Sequence, residues 1–128
     1  MADTEKITIN MSAVDLGKID LLVQEGVYSN RTDFIRTAIR SQLEKNTIEV
    51  QQSISRNSYG IGVFIVERSD FERYKANNEK IKFTVVGLLH IANDVPASLA
   101  SEVVESVQVR GIFRASEAVK AALADRMK

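Results

Sequence analysis

Lys6, Thr8 and Asn10 place three hydrogen-bonding side chains at every second position near the start of the chain, with no carboxylate among them. Asn can pair bidentately with an adenine edge. Thr can donate, accept or offer its methyl group to thymine, and Lys suits guanine O6/N7 or a phosphate. The plain alternative is the wet side of a strand. The chemistry on offer is recognition, and the rest of the chain offers little else. There is no cysteine, which removes disulfides, thiolate metal sites and thiol nucleophiles. The single histidine, His90, lies in an apolar run and reads as a partly buried or edge-strand residue rather than a metal ligand. Glu102 and Glu105 fall near one face of a candidate helix, but spacing brings no histidine or nucleophile to them. Gly60 and Gly62 sit in a β-rich run without the third glycine or the helix start of a phosphate loop. No catalytic, cofactor-binding or metal residues are therefore expected, and the chain does not read as an enzyme.

The elements that would position Lys6, Thr8 and Asn10 follow from the apolar pattern. Ile7, Ile9 and Met11 alternate with them, the period-two pattern of a half-buried strand. Ser12 can cap a helix whose apolar stripe is Leu16, Ile19, Leu22 and Val23, and Gly26 suits its end. After Val27 and Tyr28, Ser29 is a good cap for a second helix with Phe34, Ile35, Ala38, Ile39 and Leu43 on its apolar side. One short strand and two short helices cannot close a core. A second copy of the chain, with its strand antiparallel to the first, completes one. The expected dimer core is Ile7, Ile9, Met11, Phe34, Ile35 and Ile39. The outer face of the paired strands then carries Lys6, Thr8 and Asn10, with the width and polarity to enter a major groove.

The run from Lys6 to Ser12, a helix ending at Gly26, and the segment from Tyr28 to Arg40 together resemble the ribbon-helix-helix family of DNA-binding dimers. The similarity covers about residues 5–45 and rests on the alternating strand, the glycine-ended helix and the Ser-Asn-Arg-Thr-Asp start of the second helix. The resemblance implies that Lys6, Thr8 and Asn10 contact bases and that Ser29, Asn30, Arg31 and Thr32 contact a phosphate. Helix capping uses the same free N–H groups, so both roles can hold. Arg31 could instead pair with a nearby carboxylate such as Asp33 or Glu25.

Charge sets this chain apart from an ordinary DNA coat. It carries 17 basic and 17 acidic residues, and residues 1–45 alone carry 6 and 7. Glu5 flanks the ribbon. Nonspecific attraction should be weak, so binding must come from a local arrangement of donors doubled by symmetry.

Residues 46–58, rich in Asn, Gln and Ser, read as a linker or an extension of the second helix. From Tyr59 onward a faint repeat of 24 residues aligns Tyr59, Phe83 and Val107, then Ile61, Val85 and Val109, then Phe64, Leu88 and Ile112. It also sets Gly87 with Gly111. Helix starts are expected at Ser69, Asp94 and Ser116. The fold class is thus α+β. A ribbon-helix-helix intertwined dimer spans 1–45, and a small α/β unit spans 59–128, with short stacked βα repeats as one form of it. That unit is expected to join dimers into a higher oligomer or hold a partner. The leading function is a sequence-specific double-stranded DNA-binding regulator, most simply a repressor. A structural protein with the same dimer fold and an antitoxin are the alternatives. No apolar run is long enough to cross a membrane, and the chain is expected in the cytoplasm.

Overall fold

The computed structural model describes residues 4–128, which divide into two compact units: residues 6–53, and residues 54–128 together with residues 4 and 5. The structure is mixed helix and strand. Each unit is built differently.

In the first unit, residues 6–12 adopt no regular secondary structure within a single chain. A ladder needs a second strand, and among the described residues of this unit no strand is present to supply one. Helix α1, Ala13–Gln24, begins at Ser12, whose hydroxyl accepts the Asp15 N–H at 3.1 Å. It ends in a Schellman motif at Gly26, φ +80°. The Gly26 N–H bonds to Val23 O and the Val27 N–H to Leu22 O, so two terminal carbonyls are satisfied. Helix α2, Arg31–Lys45, follows, and Tyr28 in the turn between the two helices packs edge to face on Phe34 of α2, centroids 5.0 Å apart.

The segment expected as a linker or helix extension is a separate helix, α3, Thr47–Asn57. Asn46 interrupts the run from α2: its amide donates to Gln42 O, and the Thr47 hydroxyl donates to Glu44 O. These side-chain bonds compete with continuation of a single helix.

The second unit is a three-stranded parallel sheet in the order β1-β2-β3, with β1 at Gly60–Val66, β2 at Ile81–Ile91 and β3 at Val104–Arg114. The crossovers carry α4, Arg68–Ala76, and α5, Ala97–Val103; α6, Glu117–Ala122, follows β3. One sheet face packs against these helices. Phe71, Val85, Leu89, Ile91, Leu99, Val107, Val119 and Leu123 form the centre of that core. On the opposite face Ile61, Val63 and Ile65 of β1 stay exposed. At the far edge, Met127 bridges to Val107 and the Lys128 N–H donates to Val107 O, covering part of β3.

The ladder sets Phe83 opposite Val107, Val85 opposite Val109 and Leu88 opposite Ile112, the pairs expected from the sequence alignment. The first strand departs from it by one residue. Gly62 lies opposite Gly87, and Ile61 opposite Val86 rather than Val85. Such a slip turns every β1 side chain to the other face. Gly62, Gly87 and Gly111 form a row across the sheet with φ between +129° and +137°. A Cβ on Gly87 would fall 2.1 Å from Gly62 O, and one on Gly111 equally close to Gly87 O. Only glycine fits such a row, so the glycines fix the register.

The helix starts also shift. Helix α4 begins after Glu67, not Ser69, because Glu67 and Asp70 form a capping box. Helix α5 begins after Pro96 rather than at Asp94. Pro96 has extended φ and ψ, and Ala100 donates to its carbonyl. Ser116 caps α6 as expected. His90 is partly buried and lies on the middle strand, not an edge.

Candidate nucleic-acid interface

The residues expected to read bases lie in the extended segment before α1. Lys6, Thr8 and Asn10 are all exposed, and so are the alternating Ile7, Ile9 and Met11, at 75%, 60% and 39%. Among the described residues of 6–53, Ile19 is the one buried side chain. Ile39 is also open to solvent, while Phe34 and Ile35 are half-buried. Met11, Ile19, Leu22 and Phe34 line a mostly apolar groove of about 400 Å³, with Asp15 and Lys18 at its rim. Of the six residues expected to form a dimer core, Ile7, Ile9, Met11 and Ile39 are thus exposed in a single chain, Met11 and Phe34 line the groove, and Ile35 is half-buried.

The start of α2 brings Ser29, Asn30, Arg31 and Thr32 together, all exposed. The cap is Asn30, one residue beyond Ser29: its Oδ1 accepts the Asp33 N–H at 2.8 Å. Asp33 reaches back and accepts from both the Ser29 N–H, at 3.0 Å, and the Ser29 hydroxyl, at 2.9 Å. Those bonds hold the Asp33 carboxyl below the usual carboxylate range, the Ser29 backbone donor contributing most. A helix start is a natural anion site. Here an internal carboxylate already takes two of its donors. The N–H groups of Arg31 and Thr32, in the first helical turn, have no intrahelical acceptor to use.

Arg31 makes a bidentate pair across to α1. Its Nε donates to Asp20 Oδ1 at 2.7 Å and its Nη2 to Oδ2 at 2.8 Å. The hydrogen bonds lower the Asp20 carboxyl and raise the Arg31 guanidinium from their ordinary values. The partner is neither Asp33 nor Glu25. Sequence reasoning missed Asp20 because the pairing depends on how α1 and α2 cross, and residues eleven apart in the chain carry no helical spacing signal. The pair is about half exposed, so it neutralises Arg31 without burying it.

The family model described as the Ribbon-Helix-Helix transcriptional regulator family matches residues 2–120. The chain belongs to that family, and with it to a class of transcriptional regulators that bind DNA and dimerise. The match runs well past the first 45 residues, so the parallel-sheet unit belongs to the family pattern as much as the ribbon and helices do. No curated protein and no solved structure gives a significant match. No helix of the described residues is long and apolar enough to cross a membrane.

Proposed function

We propose that the protein is a homodimeric repressor that reads a specific double-stranded DNA site with an antiparallel ribbon formed by residues 6–11 of two chains. The observation that carries this reading is the first unit's lack of an interior. A 48-residue stretch with Ile19 as its one buried side chain, three alternating apolar residues open to water and an apolar groove beside them requires a partner. Pairing the strands buries Ile7, Ile9 and Met11 and turns Lys6, Thr8 and Asn10 to the opposite face. Alternation in an extended chain allows no other outcome.

In this reading the bases are contacted by Lys6, Thr8 and Asn10, and the backbone by the first turn of α2. Asn30 caps the helix and leaves the Arg31 and Thr32 N–H groups to a phosphate. Ser29 lies beside that phosphate but gives its own donors to Asp33. Arg31 contributes little net charge while Asp20 holds it. Binding therefore depends on matched base contacts more than on charge, in keeping with a chain of zero net charge. The parallel-sheet unit, residues 59–128, would join dimers or hold a ligand.

Selection from a random duplex pool tests the proposal. A verified dimer should enrich a two-fold symmetric site at low salt. A folded dimer that enriches no sequence would move the function to a structural role for the same fold.

A further inference from the structure

The parallel-sheet unit has two half-buried arginines, and they are treated differently. Arg126 reaches the carbonyls of Ser101 and Val104 and the hydroxyl of Ser101, and lies 3.8 Å from Asp125. Arg114, the last residue of β3, donates to nothing closer than Thr4 O at 3.4 Å, a long contact. Its Nε is buried and has no acceptor. No ion pair forms to it among the described residues. A guanidinium brings five donors and cannot give up its charge, so leaving them idle in a half-buried position is costly.

His90 lies directly across from Arg114 in the ladder, near the end of β2, and its Nδ1 is likewise buried without a partner. Both residues line a cleft of about 530 Å³ with Asn93, Ala115 and Lys120. That volume is in the range of small-ligand sites. The lining holds no carboxylate; Asp94 and Glu117, the nearest in sequence, are exposed and lie outside it. The cleft opens at the carboxyl ends of two adjacent parallel strands.

We infer that this cleft binds a small oxyanion, a carboxylate or a phosphate ester, with Arg114 as the principal contact. The guanidinium fork matches two oxygens of either group. Lys120 adds a second positive charge, and Asn93 and His90 supply polar contacts that fix orientation. The Thr4 carbonyl, now the long-range acceptor of Arg114, would be displaced by the stronger anionic acceptor. The site would give the regulator a chemical input in the unit that does not read DNA.

The test uses the full chain in a chloride buffer without DNA, so its outcome is separate from that of the DNA-binding reading. Inorganic phosphate and malonate are titrated in parallel while ¹H–¹⁵N spectra follow the Arg114 Nε–H and the backbone amides of Asn93, Ala115 and Lys120. Saturable shifts at these positions with one anion are expected, and which anion saturates identifies the class. Arg114→Lys, which keeps the charge but loses the fork, and Lys120→Met should each weaken binding about tenfold or more. A loss in either variant, with its spectrum still that of a folded chain, supports the site. No saturation by either anion, shifts confined to residues 29–32, or affinity unchanged in both variants would overturn it.

Discussion

Ile9 sits at the centre of the segment proposed to pair with its copy, so replacing it tests the ribbon where the proposed energy is concentrated. In a single chain Ile9 is 60% exposed. Full burial of such a side chain is worth roughly 1.5–3 kcal/mol, so covering the exposed part yields about 1–2 kcal/mol. Two-fold symmetry counts it twice, about 2–4 kcal/mol per dimer. Ile9→Ala should then raise the dimer dissociation constant roughly 25- to 700-fold. Ile9→Asp should do worse, because it also sets two carboxylates in a seam without partners. Sedimentation velocity over a concentration series reads the constant directly, and far-UV circular dichroism reports whether α1 and α2 survive. A dissociation constant within twofold of the parent in both variants would show that the segment does not pair. The parent chain running as a monomer at micromolar concentration would refute the dimer itself.

Three further outcomes follow from named contacts. Asp20→Ala releases Arg31 from its bidentate pair, so affinity for any duplex should rise and the salt dependence steepen by about 0.9 per phosphate gained, or about 2 for both subunits; fluorescence anisotropy over a salt series checks this, and an unchanged slope refutes it. The Asp20 and Asp33 carboxyls are held below their ordinary values by Arg31 and Ser29. Their contribution is therefore complete above the unfolded value of about 4 and is lost as pH falls through the lowered folded values. Helix content should drop more gently with acid in Asp33→Asn than in the parent. Gly87→Ala places a Cβ 2.1 Å from Gly62 O at φ +134°, so the sheet unit should lose at least about 1–3 kcal/mol in a thermal melt, while α1 and α2, in the other unit, keep their amide chemical shifts.

Much of the first unit could be read from residue types because its determinants are local. Ser12 as a cap, Gly26 as a helix end and the apolar stripes all act within a turn or two of the chain. The extended segment was legible as an alternation of Ile7, Ile9 and Met11 with polar residues, yet it has no ladder within one chain, since a strand exists only with its neighbour. The parallel strands were legible as β-rich runs, and the β2–β3 register followed from the apolar alignment. The β1 register did not follow, because it is governed by contact between Gly62 and Gly87 across the sheet, where apolar matching is blind by one residue. The site divided along the same line. Asn30 rather than Ser29 caps α2 because Asp33 reaches back to Ser29, a choice among neighbouring hydroxyl and amide groups that composition cannot rank. Arg31 and Asp20 meet only through tertiary structure, so no spacing in the chain announces that pair, whereas His90 and Arg114 stand 24 residues apart and the β2–β3 alignment sets them side by side.

The central claim is that the paired ribbon reads bases, and Asn10 tests it most directly. Affinity should be measured for the selected duplex and for a scrambled duplex of equal length, with the parent and with Asn10→Ala at one salt concentration. Loss of a base contact should cost about 1–3 kcal/mol per subunit on the selected site and leave the scrambled site nearly unchanged, so the ratio between the two collapses. Equal loss on both duplexes, or none on either, in a variant that still dimerises would contradict base reading by this face.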